Sequence, residues 1–233
     1  MHQQKDKKRY ILFLFLTLIF LSSINNQKFI EKKSSFLDLK SIQVTGLDIS
    51  TNSEIEKNLK FLKNTNIFFI NKEILDDQIN KYNFIEYYNI FKVYPSTIKL
   101  KLQKTKFLAR TIKDGEIFII GSNGKFINNY NFKNMESLPM VFGQFTTEKF
   151  LYFQKTLIKS KLEYENIKEF FFFQSGRIDI KTKDNILIKF PLHNLDNAMY
   201  IASEIISNEK FENNIIDLRV PNQLILSNEW KKF

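Results

Sequence analysis

The sequence predicts an α+β protein in three parts: an N-terminal transmembrane helix, a small β-α-α-β-β unit, and a mostly antiparallel β domain with two helices. An uncharged apolar run, Tyr10–Ile24, directly follows Lys5, Lys7, Lys8 and Arg9. Residues 37–105 then carry strand, helix, helix, strand and strand patterns in that order. Beyond Thr105, short strand patterns recur about every 8 to 12 residues between hairpin signals, as an antiparallel sheet requires.

The apolar run comes first. At 1.5 Å per helical residue, Tyr10–Ile24 reaches about 22 Å, against roughly 30 Å for a hydrocarbon core. Length alone therefore leans towards a signal-peptide core. The small-x-small exit that cleavage needs is missing, because Leu21 or Phe20 falls three residues before a cut after Ser23 or Ser22. Flanking Lys28, Lys32 and Lys33 can snorkel and extend a span. The expectation is an uncleaved anchor over 10–24, between a cytoplasmic tail (1–9) and a tether (25–36), with a cleaved signal as the alternative. The balance of basic residues puts the N-terminus inside, and the tail is too small to hold a domain.

The 233 residues are 43% hydrophobic and 26% charged, which suits folded domains rather than disorder. Cysteine is absent, which excludes disulfides, thiolate nucleophiles and Cys-type zinc sites. The net charge of +10 divides into +5 over residues 1–33, beside the expected membrane, and +5 interspersed over the rest. Interspersed lysine reads as a solvated surface rather than a nucleic-acid face.

Ser41–Thr45 alternates as a half-buried strand, and Gly46 supplies a turn. A helix follows with Ser53 as its expected N-cap and Ile55, Leu59 and Leu62 as its stripe. Ile67–Ile70 reads as buried, and a second helix capped by Asn71 carries Ile74, Leu75 and Ile79. Strands are expected at Ile85–Val93 and Thr97–Leu102, around a turn at Tyr94–Ser96. In the β domain, Asp114-Gly115, Asn123-Gly124 and Ser175-Gly176 mark hairpins between strand patterns. Helical patterns at Glu148–Lys161 and Asn194–Asn208 interrupt them, and strands at Ile215–Arg219 and Gln223–Ser227 close the chain.

No constellation for catalysis emerges. His2 and His193 are the two histidines, and neither has neighbours that would make a metal site or a base. Gly121–Gly124 fits a hairpin turn, not a phosphate loop or a nucleophile elbow. What remains is a surface: a terminal strand such as Gln223–Ser227 is a template for another chain unless its own tail, including Trp230, covers it.

Several motifs in order resemble one family, the bacterial cell-division proteins FtsQ, called DivIB in other bacteria. They are Ile42–Leu47 with Glu54-Ile55, Val93–Leu100, Leu108-Ala109, Gly124 in its hairpin, Leu138-Pro139 to Gly143, Arg177–Ile180, Phe190-Pro191 and Ile216–Pro221. The later motifs are most similar to the alphaproteobacterial branch.

The resemblance implies a POTRA domain over 37–105 and an FtsQ-type β domain over 106–233. It also implies a non-enzymatic, cofactor-free inner-membrane scaffold at the septum that binds FtsB- and FtsL-like partners and links early division proteins to the septal peptidoglycan synthase. In the family an FtsB segment adds to the last strand, and an arginine pairs with an acid of that partner. On this chain the motif places that role on Arg219, with neighbouring contacts at Val220, Asn222 and Leu224. The sequence departs from some relatives at Val220, where they carry an aromatic, and at Lys104 and Phe107, where glutamate and proline are expected. A POTRA-bearing periplasmic chaperone or translocation accessory is the alternative function, and a signal-cleaved periplasmic hydrolase is the enzymatic one.

Overall fold

The computed structural model describes residues 3–23, 36–128, 135–207, 214–220 and 223–228. Residues 25–35 of the expected tether, Asn222 and Trp230 lie outside the described residues. The chain divides into two compact units, residues 1–78 with 89–101, and residues 79–88 with 102–233.

Helix α1, Gln3–Ser23, contains the apolar run, and Tyr10, Phe13, Leu16 and Leu21 are all exposed on it. Thr17 Oγ1 donates back to the Phe13 carbonyl at 3.1 Å, so its hydroxyl is satisfied within the helix. Among the described residues, no helix is long and apolar enough to cross a membrane. The expected transmembrane helix over 10–24 is corrected to that extent. The first turns of α1 carry Lys5, Asp6, Lys7, Lys8 and Arg9, and the apolar part from Tyr10 to Ser23 rises only about 21 Å.

The first unit follows the predicted order. Strand β1 (Ser41–Thr45) precedes α2 (Ile49–Asn58), a 3-10 turn (Lys60–Leu62) and α3 (Lys72–Ile79). Strands β2 (Ile85–Val93) and β3 (Thr97–Lys104) complete a sheet of order β1-β3-β2, with β1 parallel to β3. Alternation sends Ile42, Val44, Ile98 and Leu100 inward against Ile55, Leu59 and Leu75.

The N-cap of α2 is Asp48, not Ser53. Its carboxylate accepts from Thr51 N at 2.9 Å and from the Ser50 and Thr51 hydroxyls, which starts the helix earlier than the apolar stripe suggested. These bonds hold the Asp48 carboxyl down at about 2. Asn71 Oδ1 accepts from Glu73 N at 3.2 Å, the capping role expected of it.

The second unit is built on a nine-stranded sheet. Its strands are β4 (Phe107–Lys113), β5 (Glu116–Gly121), β6 (Phe126–Ile127), β7 (Met140–Gly143), β8 (Ile167–Phe172), β9 (Ile178–Thr182), β10 (Leu187–Lys189), β11 (Ile215–Asp217) and β12 (Ile225–Ser227). Helix α4 (Thr147–Lys159) connects β7 to β8, and α5 (Leu195–Ile206) lies between β10 and β11 in the chain. The spatial order is β12-β11-β10-β9-β8-β7-β4-β5-β6.

Five neighbouring pairs are antiparallel, as expected of most of the sheet. Three are parallel: β4 with β7, β7 with β8, and β10 with β11. The last two are β-α-β crossovers, which a helix between strands makes possible. Both helices pack on one face over a core that includes Phe150, Phe153, Phe170, Phe190, Met199 and Ile216. Phe150 and Phe153 each meet Phe170 edge to face, at 5.6 and 6.0 Å, as aromatic quadrupoles favour.

The Gly121–Gly124 segment is the hairpin turn that the sequence suggested. Ser122 Oγ also donates to Glu86 at 2.9 Å, and Asn123 Nδ2 donates to the Asn83 and Ile85 carbonyls.

Candidate partner-binding site

Strand β12 is the last in the order of the sheet, paired with β11 in the register Ile215–Ser227, Ile216–Leu226 and Asp217–Ile225. Its Ile225 and Leu226 side chains are 47% and 41% exposed, on a strand of three residues. Apolar side chains on a terminal strand suit a second chain better than water.

The predicted residues Arg219, Val220, Asn222 and Leu224 lie between these two strands in the chain. Arg219 follows Asp217 by two positions, which places both side chains on one side of an extended backbone. The guanidinium forks onto that carboxylate: Nη2 donates to Oδ2 at 2.6 Å and Nε to Oδ1 at 2.8 Å. Asp217 is buried, whereas the Arg219 side chain is 41% exposed. Burial pushes the Asp217 carboxyl up, but the hydrogen bonds from Arg219 outweigh it and hold the group below the usual carboxylate range. Those same bonds raise the Arg219 guanidinium.

The pair sits at one end of a row that crosses the sheet. Register pairs Phe142 with Phe171, Phe171 with Asp179, Asp179 with Lys189, and Lys189 with Asp217. This row alternates with the buried Phe170, Ile180, Ile188 and Ile216, so it occupies the face away from the helices. Burial drives the Asp179 carboxyl up to about 6, although Arg177, Lys189 and Arg219 all pull it down. Arg177 Nε lies 3.2 Å from Asp179 Oδ1, yet neither atom makes a hydrogen bond. Arg177 instead stacks over Phe173, with its guanidinium carbon 3.9 Å from the ring centre.

Arg219, Val220 and Leu224 line one cavity of about 520 Å³, together with Pro191, His193, Asn194, Ile201 and Leu218. Three of the four sequence-assigned residues are thus brought together, and Asn222 lies outside the described residues. Sequence reasoning missed the contribution of the β10–α5 connection, which is distant in the chain and carries no local signal. It also missed Asp217 as the partner of Arg219, which their spacing of two could have revealed. Among the described residues, no group of three or more His, Asp or Glu is placed to hold a metal ion.

The family model for the FtsQ-type POTRA domain matches residues 37–104. The cell-division protein FtsQ of Bradyrhizobium diazoefficiens is 21% identical over 210 residues, covering 89% of this chain and 61% of its own length. The cell-division protein DivIB of Clostridium botulinum is 25% identical over 149 residues, covering 63% of this chain and 55% of its own. The chain therefore spans less than two thirds of the length of these relatives. A solved structure of the major extracytoplasmic domain of the division protein DivIB from Geobacillus stearothermophilus aligns with TM-score 0.34 and 11% identity. It covers 47% of this chain and 99% of that one, a likeness too slight to bear weight. The chain thus carries an FtsQ-type POTRA domain over residues 37–104, and it is similar to the cell-division proteins FtsQ and DivIB.

Proposed function

We propose that this chain is a non-enzymatic scaffold of the division machinery, and that its C-terminal sheet edge docks an FtsB-like segment, with an FtsL-like protein as a further partner. The observation that carries the reading is the placement of β12 at the end of the sheet, with exposed Ile225 and Leu226 beside the cavity lined by Arg219, Val220 and Leu224. Main-chain bonds to β12 supply affinity, and the side chains around the cavity supply selectivity. Arg219 offers an acidic residue of the partner its Nη1 group, which Asp217 leaves free, and Asn222 adds a further contact.

In this reading α1 attaches the protein to the inner membrane at the division septum, with the two folded units periplasmic. The scaffold then couples early division proteins to septal peptidoglycan synthesis. A titration of the full chain in lipid nanodiscs with the periplasmic segment of an FtsB-like partner tests the site. Arg219→Glu is expected to weaken binding by about 2 kcal/mol or more, roughly 30-fold, because a like charge replaces half of an interfacial pair. Unchanged affinity removes the assignment.

A further inference from the structure

In the first unit, the segment Ile67-Phe68-Phe69-Ile70 buries its ends and projects its middle. Ile67 and Ile70 are buried to 0% and 3% exposure, whereas Phe68 is 55% and Phe69 80% exposed. The geometry is built rather than frayed. Asn66 Oδ1 accepts from Phe68 N at 3.0 Å, the Asn66 carbonyl accepts from Phe69 N, and Lys92 Nζ donates to the Ile70 carbonyl at 2.9 Å. Phe68 stacks on Tyr94, itself half exposed, at 4.9 Å.

Two further features surround this turn. Between Glu56 and Glu73 the chain carries Lys57, Lys60, Lys63 and Lys72, all exposed, and no acid. The segment arriving from the tether is bonded to the same loop. Leu37 O accepts from Ile67 N, Leu39 N donates to Thr65 O, and Asp38 bridges Asn66. Exposed Phe36 immediately precedes that segment. The turn therefore lies where the chain enters the unit after α1, and the intervening residues 24–35 can span at most about 40 Å.

We propose that the Asn66–Ile70 turn is a lipid contact, with Phe68 and Phe69 entering the interfacial layer of an anionic bilayer while the flanking lysines face its headgroups. Exposed rings in a stretch that carries four exposed lysines and no acid match the chemistry of such a surface, which binds by apolar burial and electrostatic attraction together. The contact orients the first unit on the membrane, and it rests on the attachment through α1 proposed above. A soluble acidic protein would satisfy the lysines but give the rings no layer to enter.

The cysteine-free sequence makes the test direct. The full chain is reconstituted with a single fluorophore on Thr65→Cys beside the turn, on Phe13→Cys in α1, or on Lys183→Cys in the second unit. The vesicles contain headgroup-nitroxide lipid in either phosphatidylglycerol with phosphatidylethanolamine or phosphatidylcholine alone. The proposal expects quenching at position 65 in the anionic vesicles, little in the neutral ones, and none at 183. The triple variant Lys60→Glu, Lys63→Glu, Lys72→Glu is expected to lower the bound-to-free ratio of the turn at least about fivefold. Quenching at 13 without quenching at 65 overturns the lipid contact and leaves the attachment standing, whereas no quenching at either site overturns both. Equal quenching at 65 and 183, or in both lipid compositions, also overturns the contact.

Discussion

The Arg219 guanidinium and the Asp217 carboxylate form a two-pronged pair at the end of β11, with 2.6 Å between Nη2 and Oδ2. The acid is buried and the base half exposed, so the pair aims a cation outward from a fixed footing. Removing the base by Arg219→Ala strands a buried carboxylate, and we expect a stability loss of about 1–2 kcal/mol in urea denaturation. Arg219→Lys keeps the charge but loses the fork, so it should cost less stability while still weakening the partner. Comparing the two variants in both measurements separates the structural part of Arg219 from its part in binding.

Asp179 gives a pH dependence of opposite sign to that of a salt-bridged surface acid. Its carboxyl titrates at about 6 in the folded protein, chiefly through burial, and near 3.9 when unfolded. The folded state therefore holds the proton more tightly. The stability this contributes is full below about pH 4 and is lost as pH rises through 6, by up to about 3 kcal/mol. The difference in unfolding free energy between wild type and Asp179→Asn, measured from pH 4 to 8, should show that slope and then flatten. A difference independent of pH would refute it.

Gly143 ends β7 with φ of 93°, and a Cβ there would lie 1.9 Å from the Phe172 carbonyl oxygen. The obstacle is backbone of the neighbouring strand, which cannot step aside without breaking the β7–β8 pairing. Gly143→Ala should cost at least about 2 kcal/mol from the strained conformation and the clash together. Thermal melting of the purified variant checks this. Gly115→Ala makes an instructive comparison: it shares the positive φ but has open space around the added carbon.

The start of α2 distinguishes two readings of the same helix. Asp48→Ala should destabilise by about 1 kcal/mol, because it removes the carboxylate that accepts from Thr51 N, whereas Ser53→Ala should change stability little. Chemical denaturation of the two variants side by side decides between them.

These cases show where local pattern carries the structure and where it stops. Alternation located β1 and β3, because one face of each is buried. The Asp114-Gly115 and Asn123-Gly124 turns gave hairpins because positive φ needs such residues. Strand β7 was missed because its four residues, Met140–Gly143, have no period to read, and its parallel neighbours are set by contacts distant in the chain. Ile67–Ile70 reads as buried by composition, yet the Asn66 side chain folds it into a turn that turns two of its rings outward. At the candidate site, the motif named Arg219, Val220 and Leu224, whereas Pro191 and His193, which line the same cavity, came only from the fold.

The central claim is that an FtsB-like segment completes the sheet at β12. Hydrogen–deuterium exchange of the full chain in nanodiscs, with and without the partner's periplasmic segment, tests it most directly. The account predicts that peptides covering Gln223–Ser227 gain strong protection on binding, while β6 at the opposite end of the sheet is unchanged. Saturable binding with no change in exchange across Gln223–Ser227 would contradict it.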